Sequence, residues 1–180
     1  IGKDRGAETH PFLGYNYRIS ELNAAVGVAQ LARLDDFLAL QKKNYSILRE
    51  ALQEIEGVEF RRVPEGGEES YAFLNFFLAD EKMAKKTHKA LSETGVDGCF
   101  YWYDNNWHYY RKWEHLTNLK SLGKLPQAIY NQLPDYSKAD FSKSDHWVGR
   151  NISCLIKLGW SEEEVKLRAQ KMTDVIRMAI

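Results

Sequence analysis

Residues 20–57 read SELNAAVGVAQLARLDDFLALQKKNYSILREALQEIEG, and the apolar side chains in this segment recur at steps of three, four or seven. Ser20 suits the N-cap of a helix, and Gly57 suits its C-terminal end. A helix of this length reaches about 50 Å, which is more than a small domain covers by itself. Because the stripe breaks heptad phase between Ala29 and Leu31, we predict a helix that lies across two domains or a subunit interface, rather than a two-stranded coiled coil.

Shorter periods after Gly57 predict alternating strands and helices. The predicted strands are residues 58–63, 71–78, 96–103 and 152–158, and the predicted helices are residues 80–94, 107–119 and 162 onwards. Residues 1–17 are predicted to be loop, and residues 126–143 are predicted to be mostly loop with one helical turn. Two helices have predicted inward faces: Met83, Thr87, Ala90 and Leu91 in the first, and Val165, Ala169, Met172, Ile176 and Ala179 in the last, which opens with the capping-box pair Ser161 and Glu164. This order predicts an α+β layer, with helices against one antiparallel or mixed sheet.

Composition and charge narrow the classes of function. The chain is 44% hydrophobic and 28% charged, as in ordinary globular proteins. Lys+Arg and Asp+Glu both number 25, so the net charge gives no argument for nucleic acid or an anionic membrane as a partner. No apolar run approaches the length of a membrane span, and no secretory signal is visible. We therefore expect a cytoplasmic protein.

Common catalytic and metal motifs do not occur in the sequence. There is no Gly-x-Gly-x-x-Gly, Walker loop, His-Glu-x-x-His or Gly-x-Ser-x-Gly pattern. Cys99 and Cys154 are too few for a disulfide framework and have no zinc spacing, so we expect reduced, partly buried thiols and no metal site. We interpret His88 as solvated on a Lys-rich helix face, and His115 as a surface residue or a partner of a nearby carboxylate.

Two segments carry residues suited to ligands. Residues 13–25, LGYNYRISELNAA, bring two tyrosines, an amide and a cation into the turn before a helix, where backbone N–H groups suit a phosphate or carboxylate. From the residues alone, aromatic packing beside the helix start is the simpler interpretation. The aromatic run at residues 100–103 suits a flat apolar wall for a sugar or nucleotide. Because alternate residues of a strand face the core, we expect Phe100 and Trp102 to be buried.

Residues 14–25 closely resemble the Gly-Tyr-Asn-Tyr-Arg-Met-x-x-x-x-Ala-Ala block of the DegT/DnrJ/EryC1/StrS sugar aminotransferases. Residues 4–6 resemble the charged-Gly segment upstream, and residues 109–111 fall where that family has a Tyr-Tyr pair. Residues 153–156 and 161–164 fall where it has Ser-Leu-Pro-Leu and its last helix. The resemblance implies the C-terminal portion of a type I pyridoxal-phosphate (PLP) transferase, α/β to α+β in class. Residues 1–17 would end the large PLP-binding domain, residues 18–56 form the connecting helix, and residues 57–180 form the small domain.

The same resemblance implies a homodimer with shared active sites. Asn16 would reach into the neighbouring subunit's site and hydrogen-bond the PLP phosphate, with Tyr15 and Arg18 beside it. Arg18 is a candidate for binding a substrate phosphate or carboxylate, since a guanidinium recognises anions in a bidentate manner, and the alternative is a salt bridge to an acidic neighbour. The family's histidine before the Tyr-Tyr pair is replaced by Asn105, so either His108 takes over its role or the substrate pocket differs. Leu155 stands where the family has proline.

The implied reaction is transfer of an amino group from glutamate to a keto or aldehydo sugar, with PLP held by a lysine Schiff base. No lysine of this chain lies in a context that resembles the family's lysine segment. We therefore expect no catalytic residue in this chain and interpret it as a fragment, in keeping with its start at Ile1 in a loop-like stretch.

Residues 106–110 and 147–156 resemble a branch that makes 8-amino-octulosonate, an amino form of Kdo, for lipopolysaccharide. Such a substrate carries a carboxylate that Arg150 or Lys157 could meet. Two rival hypotheses remain open. The first is a PLP-dependent sugar dehydratase of the same family, in which a histidine replaces the lysine. The second is a non-catalytic dimerisation or binding module that uses the long helix.

Overall fold

The computed structural model describes residues 17–105, 107–120, 122–124 and 126–180. The described residues fall into two units, one up to Asp36 and the other from Phe37 to Ile180. The first unit holds helix α1, Glu21–Leu31. Helix α2, Leu34–Gln53, begins in the first unit and continues into the second. All other helices and strands belong to the second unit.

The predicted single helix is two helices, separated by a turn at Ala32 and Arg33. Ser20 caps α1 as predicted, because its hydroxyl accepts a hydrogen bond from the Asn23 N–H at 3.2 Å. At the other end, the Arg33 N–H bonds the Gln30 carbonyl, an i→i+3 contact that tightens the last turn and ends the helix. Gly57 has a left-handed φ of +86° but lies beyond the end of α2. The domain limits stay a prediction.

α1 is apolar and exposed. The structure describes every residue of α1, and none of them is buried. Its large apolar side chains Leu22, Val26, Val28 and Leu31 are each more than half exposed. A soluble domain rarely leaves such a surface to water, so this helix has the composition of a contact surface.

The second unit is built on one antiparallel sheet of four strands. The strands are β1, Glu59–Phe60; β2, Phe73–Phe77; β3, Cys99–Phe100; and β4, Asn151–Leu155. Their order is β1-β2-β4-β3, and each neighbouring pair is antiparallel. β4 is therefore a central strand, and four of its five residues are buried. β3 is a short edge strand.

Five further helices complete this unit: α3, Glu81–Glu93; α4, Glu114–Thr117; α5, Gln127–Tyr130; α6, Ser142–Arg150; and α7, Glu162–Ala179. α3 begins at Asp80, whose carboxylate accepts from the Met83 N–H at 2.7 Å. α7 begins with the predicted capping box between Ser161 and Glu164. Both predicted helices are confirmed.

The core lies between one face of the sheet and the helices. The sheet contributes Leu74, Phe76, Ile152 and Cys154, and the helices contribute Leu48, Leu52, Leu91, Met172 and Ile176. The predicted inward face of α7 is confirmed, because all five of its residues are buried. In α3, Thr87 and Leu91 are buried, and Met83 and Ala90 are half-buried. The helices-on-sheet layer matches the predicted α+β arrangement.

Two local predictions are wrong, and one helix was not predicted. Residues 96–103 form only the two-residue strand β3, followed by a 3-10 turn at Trp102–Asp104. Residues 107–119 form a 3-10 turn at Tyr110–Lys112 and the short α4 instead of one helix. α6 was not predicted: it begins at the end of the predicted loop and continues through residues to which no element was assigned, whereas α5 is the one helical turn predicted within that loop. In the first two cases the rings of Tyr103 and Tyr109 are buried, with their centres 5.3 Å apart. This tertiary packing determines the conformation of both segments, and the periodicity of the sequence does not reveal it.

Candidate functional site

The sheet has a second face, on the side away from the core. In β2, half-buried Phe73, Asn75 and Phe77 alternate with the buried core residues. The strand register places Ser153 opposite Asn75 and Phe100 opposite Ser153, so these three residues share this face. The Ser153 hydroxyl donates a hydrogen bond to the side-chain Oδ1 of Asn75 at 2.5 Å, and Ser153 is almost fully buried. The second face therefore carries polar groups at its centre and aromatic rings around them.

The register also corrects the expectation for the aromatic run. Tyr101 and Tyr103 are buried, whereas Phe100 and Trp102 are half-buried. Because Cys99 lies opposite the core residue Cys154, Cys99 and Tyr101 point to the core side and Phe100 points to the second face. The Tyr101 hydroxyl donates a hydrogen bond to the Gly149 carbonyl at 2.7 Å, which satisfies its polar atom inside the core.

Phe100 and Trp102 begin a continuous aromatic patch. Their rings stack with centroids 4.7 Å apart and an angle of 9° between the planes. Phe73 lies 6.3 Å from Phe100 on one side, and His108 lies 4.5 Å from Trp102 on the other. His108 in turn meets Trp107, which is 69% exposed. We call Phe73, Phe100, Trp102, Trp107 and His108 the aromatic patch.

An open cleft of about 340 Å³ lies beside the patch, at the β3 edge of the sheet. Its lining combines rings with groups that can bind a ligand: His88, Cys99, Phe100, Tyr101, Asp104 and Asn105. Such a mixture of apolar surface and a few polar groups is typical of small-molecule sites. His88 is half-buried, and its Nε2 lies 3.1 Å from the Cys99 carbonyl oxygen. The interpretation of His88 as a solvated residue is therefore wrong, whereas His115 is exposed, as expected.

Two of the predicted site residues meet at the patch. Asn105 lines the cleft, and its side-chain oxygen accepts a hydrogen bond from the Trp107 N–H at 2.5 Å. His108 is exposed and touches both tryptophans of the patch. The two residues thus flank the same aromatic surface, although no contact between their own side chains is involved.

Arg150 precedes β4 and Lys157 follows it, so the two residues lie beyond opposite ends of the strand. At the rise of a strand, their Cα atoms are about 20 Å apart. Arg150 is mostly buried and donates to the Leu78 carbonyl at 2.5 Å and to Glu59 at 3.1 Å. Lys157 pairs with Asp97. One small carboxylate cannot contact both cations, and either cation would exchange an existing partner for it.

The remaining predicted residues belong to the start of the chain. Arg18 is exposed and lies two residues before the N-cap of α1. Asn16, which the sequence resemblance assigns to the cofactor phosphate, and Tyr15, which it places beside that site, lie outside the described residues. The roles of both residues stay predictions.

A polar cluster behind the patch was not anticipated. The Tyr109 hydroxyl donates to the Asp145 carboxylate, and Arg111 binds the same carboxylate through two hydrogen bonds of 3.2 Å and 2.7 Å. The Arg111 guanidinium also lies 4.6 Å from the centre of the Tyr103 ring. Hydrogen bonding to Arg111 lowers the pKa of Asp145, and burial raises the pKa of Tyr109. Tyr109-Tyr110-Arg111 was visible as a motif, but nothing local pointed to Asp145.

Four lysines in the described part of the chain have both an acidic partner and a shifted pKa. The pKa of each lysine with a resolved shift is raised, mainly by a hydrogen bond to a carboxylate: Lys42 to Glu68, Lys85 to Glu81, Lys138 to Asp135 and Lys166 to Glu162. A lysine that forms a Schiff base needs the opposite shift, since its neutral amine is the nucleophile. These four lysines are therefore poor candidates for that role.

No helix among the described residues is both long and apolar enough to cross a membrane.

Residues 2–172 match the sequence profile described as the DegT/DnrJ/EryC1/StrS aminotransferase family.

Two curated relatives match about a third of the chain. The lipopolysaccharide biosynthesis protein RfbH of Salmonella typhimurium is 42% identical over 62 residues, which is 34% of this chain and 14% of that protein. The 3-amino-5-hydroxybenzoate synthase of Amycolatopsis mediterranei is 41% identical over 59 residues, or 33% of this chain and 14% of that protein. The aligned segments thus cover only a small part of either relative.

Two solved structures share the fold. The crystal structure of 3-amino-5-hydroxybenzoic acid synthase has a TM-score of 0.59 and 22% identity, and the match covers 97% of this chain and 43% of that one. The aminotransferase TlmJ from Streptoalloteichus hindustanus has a TM-score of 0.58 and 16% identity, covering 87% of this chain and 36% of that one. The chain thus spans less than half of either structure, and the predicted fold class is confirmed.

Proposed function

The chain belongs to the DegT/DnrJ/EryC1/StrS aminotransferase family, whose members depend on PLP, and on that premise we propose that it forms part of a sugar aminotransferase. In the proposed reaction an amino group moves from glutamate to a keto or aldehydo sugar. The observation that carries the proposal is the aromatic patch beside an open cleft of about 340 Å³.

The patch suits the apolar face of a sugar ring. Phe100 and Trp102 stack on each other, so each ring has one flat face turned away from the other on which the C–H groups of a sugar can pack. Asn105 and His108 flank this surface with an amide and an imidazole that can hydrogen-bond sugar hydroxyls. An apolar wall with few polar groups orients a ligand in this way.

The cofactor is assigned to residues at the start of the chain. When bound, PLP supplies the electron sink for the carbon that gains or loses the amino group. In the proposal Asn16 binds its phosphate, Tyr15 lies beside it, and Arg18 binds an anionic group of the substrate. The upward pKa shifts of four lysines support the further proposal that the Schiff-base lysine is not among them.

The assembly and pathway belong to the same proposal. The proposed assembly is a homodimer with shared sites in the cytoplasm, and the exposed apolar surface of α1 supports the protein contact that a dimer needs. A role in lipopolysaccharide synthesis is supported by the name of the relative RfbH. For a Kdo-type substrate, Arg150 or Lys157 would bind the carboxylate by exchanging its present partner, Glu59 or Asp97.

The test uses the full-length protein encoded by the gene, purified and assayed with PLP and glutamate. It compares substitutions of two half-buried tryptophans. Sugars from the nucleotide-linked and octulosonate classes are offered, and release of 2-oxoglutarate is measured. Trp102→Ala removes the centre of the patch. The matched control is Trp160→Ala, because the Trp160 side chain is also half-buried but packs against Arg168.

We expect Trp102→Ala to raise the KM for the sugar about tenfold, which corresponds to about 1.4 kcal/mol, with little change in the KM for glutamate. Trp160→Ala should leave both values within about twofold once loss of stability is accounted for. Equal effects of the two substitutions on the sugar KM would contradict the assignment of the patch. Sugar consumption without 2-oxoglutarate would favour the dehydratase instead.

A further inference from the structure

Cys99 and Cys154 face each other directly across β3 and β4. The Leu155 N–H donates to the Gly98 carbonyl at 2.9 Å, so the two cysteines form a non-hydrogen-bonded pair of the antiparallel ladder. In such a pair the Cα atoms are about 4.5 Å apart and the side chains are closest, which falls within the Cα range of about 4.4–6.8 Å that disulfides require. Both cysteines are free, and their Sγ atoms lie 2.6 Å apart.

The two thiols differ in access. Cys99 is half-buried and lines the open cleft beside the aromatic patch. Cys154 is fully buried in the central strand, with Leu74 opposite it on β2. A small reagent in the cleft therefore reaches Cys99 first, and Cys154 is accessible mainly to Cys99 itself.

The thiols also differ in their ionisation. The Arg168 guanidinium lies 3.9 Å from the Cys99 Sγ and is held by Asp97, with its own side chain only 10% exposed. The hydrogen bond with Cys154, aided by Arg168, lowers the pKa of Cys99 despite its burial and the nearby Asp97 carboxylate. Burial raises the pKa of Cys154. Cys99 is thus the thiol of the pair that ionises more readily, and the thiolate is the form that attacks a disulfide.

We propose that Cys99 and Cys154 are a redox pair that forms a reversible cross-strand disulfide by exchange with a small disulfide of the glutathione type. The Cys99 thiolate attacks one sulfur of the oxidant, whose S–S bond breaks and releases one glutathione as a thiolate, which takes up a proton. Cys154 then loses its proton and attacks the Cys99 sulfur, releasing the second glutathione. Two cysteine thiols lose two electrons in total, and one glutathione disulfide becomes two thiols.

The disulfide bears on the candidate sugar surface. Cys99 immediately precedes Phe100, the first ring of the stacked pair, and β3 is joined to the sheet by only two residues. Oxidation fastens this short edge strand to β4 and removes the Cys99 thiol from the cleft. The redox state of the pair therefore changes both the rigidity of the patch and the chemistry of the cleft wall.

The experiment equilibrates the folded, full chain in buffers with increasing ratios of oxidised to reduced glutathione. Acid quenching, alkylation and non-reducing proteolysis follow, and mass spectrometry quantifies the peptide pair joined through Cys99 and Cys154. The same buffers with the chain unfolded in guanidinium provide the reference, because there the two cysteines are brought together only by closure of a long loop.

We expect the linked peptides to be at least about tenfold more abundant, relative to glutathione adducts, in the folded chain than in the unfolded one. Cys154→Ser should accumulate the glutathione adduct on Cys99, whereas Cys99→Ser should leave Cys154 unmodified while the chain is folded. Glutathione adducts without linked peptides in the folded chain would overturn the proposal, as would equal linkage in folded and unfolded chains. Because that comparison uses the unsubstituted chain, it holds even where a serine variant fails to fold.

Discussion

Replacing Asp145 with asparagine tests whether the cluster of Tyr109, Arg111 and Asp145 holds the segment behind the aromatic patch. The substitution keeps the shape of the side chain and an acceptor for the Tyr109 hydroxyl, but it removes the charge that Arg111 contacts through two hydrogen bonds. Asp145 is 23% exposed and Arg111 is 47% exposed. The pair is therefore neither fully buried nor freely solvated.

These exposures set the expected loss of stability. A hydrogen bond to a charged group contributes about 1.5–3 kcal/mol, and solvent screening of the half-exposed Arg111 brings the value toward the roughly 1 kcal/mol of exposed pairs. We therefore expect Asp145→Asn to lower the free energy of unfolding by about 1–2 kcal/mol at pH 7. Because the pKa of Asp145 is lowered by folding, this contribution is complete above the ordinary carboxyl value of about 3.9 and is lost as pH falls through the folded pKa.

Urea unfolding followed by circular dichroism at pH 7 and at steps below pH ~4 measures this difference. The matched control is Asp135→Asn, which removes an exposed ion pair with Lys138 and should cost less than about 0.5 kcal/mol. The reasoning fails if the two variants lose equal stability at pH 7. It also fails if the deficit of Asp145→Asn stays constant in acid, where the carboxylate of the unsubstituted protein is protonated.

The remaining predictions concern the helices. Ser161→Ala removes the capping box of α7 and should cost about 1 kcal/mol in thermal unfolding, whereas Ser92→Ala on the exposed surface of α3 should stay within about 0.5 kcal/mol. Leu91→Ala leaves a cavity under α3 and should cost about 2–5 kcal/mol in urea, against about 0.5 kcal/mol or less for Leu167→Ala, whose side chain is 60% exposed. Similar losses for Leu91 and Leu167 would mean that the α3 core contact is misplaced.

Elements governed by local signals were predictable from the sequence. α3 and α7 begin at side chains that satisfy their own backbone N–H groups, and their apolar faces follow the helical period, so each signal lies within a few residues. The positions of β2 and β4 followed from short apolar runs in the same way. The family block at residues 14–25 pointed to the fold of the rest of the chain.

Elements governed by long-range packing were not predictable. Whether Phe100 or Tyr101 is buried depends on the pairing of Cys99 with Cys154, and a shift of one residue in that register would exchange the two faces. Asn105 and His108 could be placed together because they are close in sequence. The separation of Arg150 from Lys157 also followed from the sequence, because the predicted strand at residues 152–158 extends the chain between them.

The central position of β4 has a consequence for how the protein folds while the ribosome synthesises it. β2 and β3 do not pair with each other, and both pair with β4, which follows much later in the chain: Ser153 comes 78 residues after Asn75. Until β4 has emerged, each earlier strand offers an unpaired edge to other nascent chains. A chain that ends before residue 155 would therefore be prone to aggregation instead of folding into a smaller domain. A chaperone that binds unfolded chains would be needed most before β4 has been synthesised.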